Sequence, residues 1–172
     1  MKGWLVFFLV FIGTFMIDQG IKVWAVSTAH AMHGSIPNTP HTVAEDALIG
    51  TTLVKGKCID LELHFNKGVA FSMFASLGEY MKWVQGGLVL ILLFIFYKEN
   101  YVRRYAFPAG LLIGGALGNV YDRFYHIGVV DYVAWHCGFN FAVFNYADVM
   151  IDLAFVIIIV MVYFFPEKDA SK

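Results

Sequence analysis

A mainly α-helical membrane protein is the fold class that this sequence predicts, and its composition and its long apolar stretches lead to it. Hydrophobic residues make up 59% of the 172 residues, charged residues only 15%, and the mean hydropathy is +0.67. A soluble domain typically carries about 25% charged residues. Several apolar stretches are also long enough to cross a bilayer core of about 30 Å. We therefore expect one membrane domain over residues 1–172, with four transmembrane helices and a small antiparallel sheet outside the membrane.

The four predicted spans differ in how clearly they stand out. The second is the strongest, because LVLILLFIFY forms its core, and the fourth stops at Pro166, which cannot continue a helix. In the third, Gly110, Gly114 and Gly118 recur every fourth residue, so they share one face on which a neighbouring backbone can pack closely. The expected boundaries are about 4–26, 78–97, 106–122 and 146–165.

The first apolar stretch has a second interpretation, a cleaved secretory signal. The triplet at residues 29–31 resembles a cleavage site. Asp18, Gln19 and Lys22 interrupt the approach to this triplet, however, and its distance from the apolar run is too long for a signal. We favour an uncleaved first span with Asp18 near its far end.

The segments between the spans are expected outside the membrane, as a loop and strands over 27–75 and 127–145. Residues 30–60 are polar and lack sustained periodicity, which indicates a loop. Gly68 suggests a turn or a close approach of two backbones. Alternating or β-branched sequences predict the strands of the small sheet at 59–65, 129–135 and 139–144.

Positive charges predict the orientation in the membrane. Lys98, Arg103 and Arg104 lie in the short connection between the second and third spans, and both termini carry lysines. Short loops rich in Lys and Arg stay in the cytoplasm. Three lysines in the long first loop oppose this orientation, but acidic residues accompany them. We expect both termini in the cytoplasm and the remaining loops on the outer side.

Several function classes are disfavoured by the composition. The net charge is −1, with no basic arm and no glycine-rich phosphate loop, so nucleic acid is not an expected partner. His30, His33 and His41 fit a solvated loop better than a metal site, because no acidic or cysteine ligand has matching spacing. We expect neither a metal nor a cofactor.

The two cysteines, Cys58 and Cys137, are far apart in the sequence and form no CxxC motif. A disulfide between them is one alternative if both face an oxidising compartment. The spacing alone does not decide it, because a disulfide requires a specific geometry.

Carboxylates gather at one predicted membrane boundary. Asp18, Asp122, Asp131 and Asp148 all fall at the outer side, where an ionisable group is costly and is usually functional. Two carboxylates in a poorly solvated site cannot both ionise easily, so such a pair supplies a base and an acid near neutral pH. A pair of this kind can activate water against an amide without a metal. Asp131 and Asp148 are the candidate pair, because a short loop can bring Asp131 back to the start of the fourth helix.

Other acids at this boundary have structural interpretations. Asp122 and Arg123 are expected to form an ion pair or to anchor the helix end. Asp152, which shares a helix face with Asn145 and Asp148, is expected to be a buried hydrogen-bonding acid. Asp18 has the further interpretation of marking the end of the first span.

Five short blocks of the sequence resemble, in order, the motifs of lipoprotein signal peptidase, the bacterial signal peptidase II. Each block is weak alone, but five in the right order are highly specific. The blocks are MIDQGIK (16–22), FNKGVAF (65–71), GGALGNVYDR (114–123), VVDY (129–132) and FNYAD (144–148).

This resemblance implies a four-helix bundle in the bacterial inner membrane with a periplasmic β-cradle. It implies an aspartyl protease that cleaves diacylglyceryl-modified prolipoproteins just before the lipidated cysteine. Asp131 and Asp148 would be catalytic and Asp122 structural. The implied partners are these substrates, membrane lipids and globomycin-type inhibitors, and a monomer suffices. The residues implied to support the site are Asp18, Lys22, Asn66, Gly68, Asn119, Arg123 and Asn145.

The sequence also departs from the family pattern. Gly20 stands where the family usually has Thr. The segment from Ser27 to Asp60 is longer and more polar than the usual link between span and strand, and neither cysteine belongs to a block.

Two rival functions follow from the residues alone. A transporter would carry its acids near the bilayer midplane and show an internal repeat, neither of which is apparent in the sequence. In a structural assembly subunit, the acids would only cap helices.

Overall fold

The computed structural model describes residues 2–33, 41–68 and 80–165, and the described chain is mainly helical. Helices and strands follow one another as two helices, two strands, two helices, a strand and a last helix. Their bounds are α1 Lys2–His33, α2 His41–Asp46, β1 Thr51–Val54, β2 Ile59–Asn66, α3 Met81–Lys98, α4 Val102–Tyr125, β3 Val129–Trp135 and α5 Tyr146–Phe164.

Three of the described helices, α1, α3 and α5, are long and apolar enough to cross a membrane. Helix α4 is not among them, because its sequence is rich in glycine and carries charges at both ends. It is instead the central helix, packed against the other three, and every residue from 109 to 115 is buried. The predicted second and fourth spans match α3 and α5. The crossing of the membrane by α4 stays a prediction.

Glycines on α4 allow α1 to pack closely against it, as their spacing predicts. A Cβ at Gly110 would lie 2.9 Å from the carbonyl oxygen of Phe7, and one at Gly114 would lie 2.8 Å from that of Phe11. A Cβ at Gly118 would collide with the side chain of Asp18. The glycine face therefore brings the polar residues of α1 directly against α4.

The sheet has three antiparallel strands in the order β1-β2-β3. The predicted strands at 59–65 and 129–135 are confirmed as β2 and β3. The prediction of a strand at 139–144 is wrong, because only Phe144 pairs there, in a single bridge with Val133. The chain leaves the sheet immediately afterwards, since Asn145 caps α5. The third strand is β1, from the segment expected to be a loop.

Residues 27–60 are more regular than expected wherever they are described. Helix α1 continues to His33, well past the expected end near residue 26. The reason is a second core, in which Ala25 and Ala29 pack against the sheet residues Leu63 and Val130. Helix α1 is therefore built into this core, and that it stays uncleaved remains a prediction.

A disulfide joins Cys58, before β2, to Cys137, after β3. The backbone N–H of His136 also donates to the Cys58 carbonyl oxygen at 2.9 Å. Gly138 follows with φ at +78°, a conformation that suits glycine and turns the chain away from the sheet. The strand pair β2–β3 is therefore closed covalently at this end.

We predict that Gly114→Ala destabilises the helix pair. The new methyl group would lie 2.8 Å from the Phe11 carbonyl oxygen, so the expected loss in unfolding free energy is about 1–3 kcal/mol. Thermal unfolding in detergent measures it. The control is Gly87→Ala on α3, where nothing lies within 4 Å of the added carbon, and where we expect no loss. Equal midpoints for Gly114→Ala and the wild type would contradict the close packing.

Candidate functional site

A cavity of about 550 Å³ lies where the helices meet the sheet. Its volume is in the range of sites that bind small molecules or short peptide segments. The lining combines apolar side chains with carboxylates, amides and one guanidinium. Its polar side chains are Asn66, Gln85, Asn119, Arg123, Asp131, Asp148 and Asp152, and its apolar ones include Val129, Phe141, Phe144, Val149 and Ile151.

Asp131 lies on β3 and is only 2% exposed. Its carboxylate accepts hydrogen bonds from two side-chain amides, Asn66 Nδ2 at 3.1 Å and Asn145 Nδ2 at 2.7 Å. Burial, and next the neighbouring charge of Asp148, raise the pKa of Asp131 to about 7. Asp131 therefore carries a proton for much of the time at neutral pH.

Asp148 lies in the first turn of α5 because the local sequence forms a capping box. Asn145 is the N-cap, and its Oδ1 accepts from the Asp148 backbone N–H at 3.0 Å. In return, Asp148 Oδ2 accepts from the Asn145 backbone N–H at 3.1 Å. Asn119 Nδ2 of α4 donates to the other oxygen of Asp148 at 2.8 Å. The carboxylate is thus fixed from both sides.

The two candidate carboxylates are joined through two asparagines. Asn145 donates to Asp131 and also to Asn119 Oδ1 at 3.1 Å, and Asn119 donates to Asp148. A second link between β3 and α5 comes from Tyr132, whose hydroxyl accepts from the Tyr146 backbone N–H at 3.1 Å. One hydrogen-bonded network therefore sets the relative position of the pair.

Lys22 is a buried cation beneath this network, only 1% exposed. Its ammonium lies 2.8 Å from Asp18, 2.7 Å from Asp122 and 2.9 Å from Asn119 Oδ1. The two carboxylates also accept backbone N–H groups, Asp18 from Ala147 at 3.2 Å and Asp122 from Val130 at 3.0 Å. The ion cluster of Asp18, Lys22 and Asp122 thereby fixes the starts of α5 and β3, which carry the candidate pair.

Two structural expectations need correction. Asp122 pairs with Lys22 rather than with its neighbour Arg123, because successive residues on a helix point in different directions. Arg123 instead donates to Gln85 Oε1 at 2.7 Å and to the carbonyl oxygen of Gly68. Asp152 is exposed rather than buried, since this part of α5 faces the open cavity.

The structure brings all the predicted site residues into one connected set. Gly68 is part of it through its backbone, which donates to Asn66 Oδ1 at 3.0 Å. Sequence reasoning missed Gln19, whose amide donates to Asp18 and Asp122 at 3.1 Å each, and it missed Gln85. Gln19 adjoins Asp18 in the sequence, and Gln85 is an amide within the apolar helix α3; these positions are the signals that could have found them.

Two of the described histidines, His33 and His64, contact polar side chains of their neighbours. His33 Nε2 contacts Thr51 Oγ1 at 2.8 Å, and His64 Nε2 contacts Glu62 at 2.6 Å. Within residues 2–33, 41–68 and 80–165, no group of three or more His, Cys, Asp or Glu side chains has a metal-binding arrangement.

The fold and the cavity define a membrane protein with a buried, carboxylate-lined site at one end of its helix bundle. The family model described as Signal peptidase (SPase) II matches residues 10–164. A lipoprotein signal peptidase of Sulfurovum sp. (strain NBC37-1) is 55% identical over 168 residues, covering 98% of this chain and 99% of that protein. That of Helicobacter pylori (strain P12) is 36% identical over 166 residues, covering 94% and 91%. The chain belongs to the signal peptidase II family.

A solved structure agrees with the fold. A bacterial membrane enzyme determined by the in meso method superposes with a TM-score of 0.71 at 20% identity. The match covers 96% of this chain and 92% of that one, so the two chains share a fold. Together with family membership, this makes the cavity a candidate peptidase site.

We predict that Lys22→Met strongly destabilises the protein. Asp18 and Asp122 would stay buried without their cation, and breaking a buried pair from one side costs about 3–5 kcal/mol. Thermal unfolding and the yield of membrane-inserted protein measure the loss. Lys57→Met, at an exposed position between β1 and β2, is the control and should change little. If both variants were equally stable, the ion cluster would not carry the role assigned to it.

Proposed function

We propose that the protein is an aspartic endopeptidase that removes the signal peptide from diacylglyceryl-modified prolipoproteins, cleaving before the lipidated cysteine. Its membership of the signal peptidase II family supports a protease that processes prolipoproteins. The observation that carries the finer proposal is the placement of Asp131 and Asp148 in one cavity, linked through Asn119 and Asn145.

The proposed chemistry uses a carboxylate pair that shares one proton. The ionised member takes a proton from a water molecule, which attacks the scissile carbonyl carbon. The protonated member donates a hydrogen bond to the carbonyl oxygen and later protonates the leaving amine. Because Asp131 has a pKa of about 7, the pair keeps this proton up to neutral pH. No metal or cofactor has a part in this mechanism.

The polar residues around the pair have supporting roles in the proposal. Asn66, Asn119 and Asn145 hold the two carboxylates in place, and Asp18 with Lys22 holds the elements beneath them. Arg123 holds the backbone carbonyl group of Gly68, two residues after the end of β2, beside the cavity. These contacts restrict the motion of the carboxylates, which favours catalysis by preorganisation.

The proposed membrane arrangement has four spans, with α1, α3 and α5 around α4 and with both termini in the cytoplasm. The site then lies at the periplasmic boundary of the inner membrane. The Cys58–Cys137 disulfide supports this orientation, because disulfides persist in oxidising compartments. The positive charges between α3 and α4 agree with it.

The proposed substrate reaches the site from the bilayer. Its signal helix would lie against the spans, and its acyl chains would stay in the lipid. The apolar lining around Phe141, Phe144 and Val149 suits the chain near the lipidated cysteine. Cyclic peptides of the globomycin type would compete for the same cavity, and a monomer is sufficient for all of these contacts.

We predict that Asp131→Asn and Asp148→Asn each abolish processing while the protein remains folded and inserted. General acid–base catalysis contributes about 10²–10⁴-fold in rate, so a loss in at least this range is expected. Cleavage of a diacylated precursor peptide in proteoliposomes measures it, and globomycin should block the wild type. Asp152→Asn, in the same cavity, is the control and should retain most activity. Near-normal processing by Asp131→Asn or Asp148→Asn would contradict the assignment of these two residues as the catalytic pair.

We predict that activity falls as the pH rises through about 7. Above this pH the pair loses the proton that the mechanism requires, because Asp131 then ionises too. Initial cleavage rates between pH 5.5 and 9 measure the effect, and thermal unfolding at each pH separates it from loss of structure. A rate that stays constant from pH 6 to 9 would contradict a proton-sharing pair.

A further inference from the structure

Glu45 is a buried carboxylate that the proposed mechanism does not use. It lies on α2, in the segment that is longer than the family's usual link, and its exposure is 0%. Its Oε2 accepts the backbone N–H of Ile127 at 2.9 Å, and its Oε1 contacts His126 Nδ1. A buried carboxylate is costly unless it is well bonded, so its place here calls for a reason.

The groups that Glu45 bonds form the turn at residues 126–128, which joins α4 to β3. The turn begins where the His126 backbone N–H donates to the Asp122 carbonyl oxygen at 2.7 Å. It leads directly into the strand that carries Asp131. Glu45 therefore fixes the backbone between the helix and the strand of the site.

The same turn presses against Asn66. A Cβ at Gly128 would lie 2.7 Å from both the carbonyl carbon and the carbonyl oxygen of Asn66, which is room for a glycine alone. Asn66 is paired with Val129 in the sheet, and the ring of Phe65 packs against His126 with centroids 5.8 Å apart. The position of the turn thus sets the position of Asn66.

Asn66 acts on Asp131 in turn. The Asn66 amide donates to the Asp131 carboxylate at 3.1 Å, and this hydrogen bond lowers the pKa of Asp131. Burial and the charge of Asp148 raise the same pKa by more. The other charged groups that act on Asp131 are Lys22 of α1 and Arg123 of α4. If Asn66 shifts, Asp131 loses a donor and its proton is held more tightly.

We propose that Glu45 is a positioning residue for the peptidase site, acting through the turn between α4 and β3. The inference rests on the proposed function. A second contact from the same helix, Asp46 to Lys67 at 3.3 Å, is exposed on both sides and contributes little by comparison. Asp46 is therefore a matched control on the neighbouring residue.

The test measures kcat, KM and the pH profile of Glu45→Ala in proteoliposomes with a diacylated precursor peptide. We expect kcat to fall on the order of tenfold, since small displacements of catalytic groups are costly, with KM changed less than about twofold. The alkaline limb should move to higher pH. Glu45→Gln keeps an acceptor for the Ile127 amide and should restore most of kcat, and Asp46→Ala should match the wild type.

A double variant tests the route. In an Asn66→Ala background, Glu45→Ala should cause little further loss, because both changes remove the same contact to Asp131. If the losses of kcat caused by Asn66→Ala and Glu45→Ala multiply in the double variant, Glu45 does not act through Asn66. Glu45→Asp keeps the charge on a shorter side chain, so its loss of kcat should be smaller than that of Glu45→Ala. This variant provides the test if Glu45→Ala does not fold.

Amide hydrogen exchange separates this inference from the proposed function. Exchange at residues 126–131 should rise in Glu45→Ala and stay unchanged in Asp46→Ala, whatever the substrate is. Unchanged exchange in Glu45→Ala would overturn the inference. A wild type that cleaves no lipidated precursor would instead overturn the proposed function, while the exchange result would still decide the role of Glu45 in the turn.

Discussion

The contact of Lys22 with Asp18 and Asp122 is the interaction on which the rest of the site depends. Moving three charges out of water costs several kcal/mol per ion, and only close, well-bonded geometry offsets that cost. Here the two carboxylates are also used to hold backbone N–H groups at the starts of α5 and β3. The ion cluster therefore joins α1 to α4 and also fixes the starts of the two elements, helix α5 and strand β3, that carry the candidate catalytic carboxylates.

Environment separates acids that look alike in the sequence. Asp18 and Asp122 contact a cation, whereas Asp131 accepts hydrogen bonds from the neutral amides of Asn66 and Asn145. The chain thus places its structural and its proposed catalytic carboxylates in one network while giving them different partners, a cation for Asp18 and Asp122 and neutral amides for Asp131.

The parts of this fold that follow from local pattern could be predicted from the sequence, and those that depend on distant partners could not. Hydropathy located α3 and α5, and the spacing of Gly114 and its neighbours predicted the close face of α4. The third strand was misplaced, because alternation at 139–144 does not reveal that Asn145 ends the pairing. The partner of Asp122 was likewise misjudged, since Lys22 lies 100 positions away in the sequence.

The strand that carries Asp131 is held at both of its ends. Cys137 ties the far end to β2 through the disulfide, and the turn at Gly128 packs the near end against Asn66. The segment between Cys137 and the N-cap Asn145 is also fastened at both sides, and it supplies part of the apolar lining of the cavity. A carboxylate in so fixed a frame cannot move far to meet a peptide bond. Under the proposed function, the substrate must therefore be brought to Asp131, and a signal helix that lies in the membrane beside the spans would deliver it.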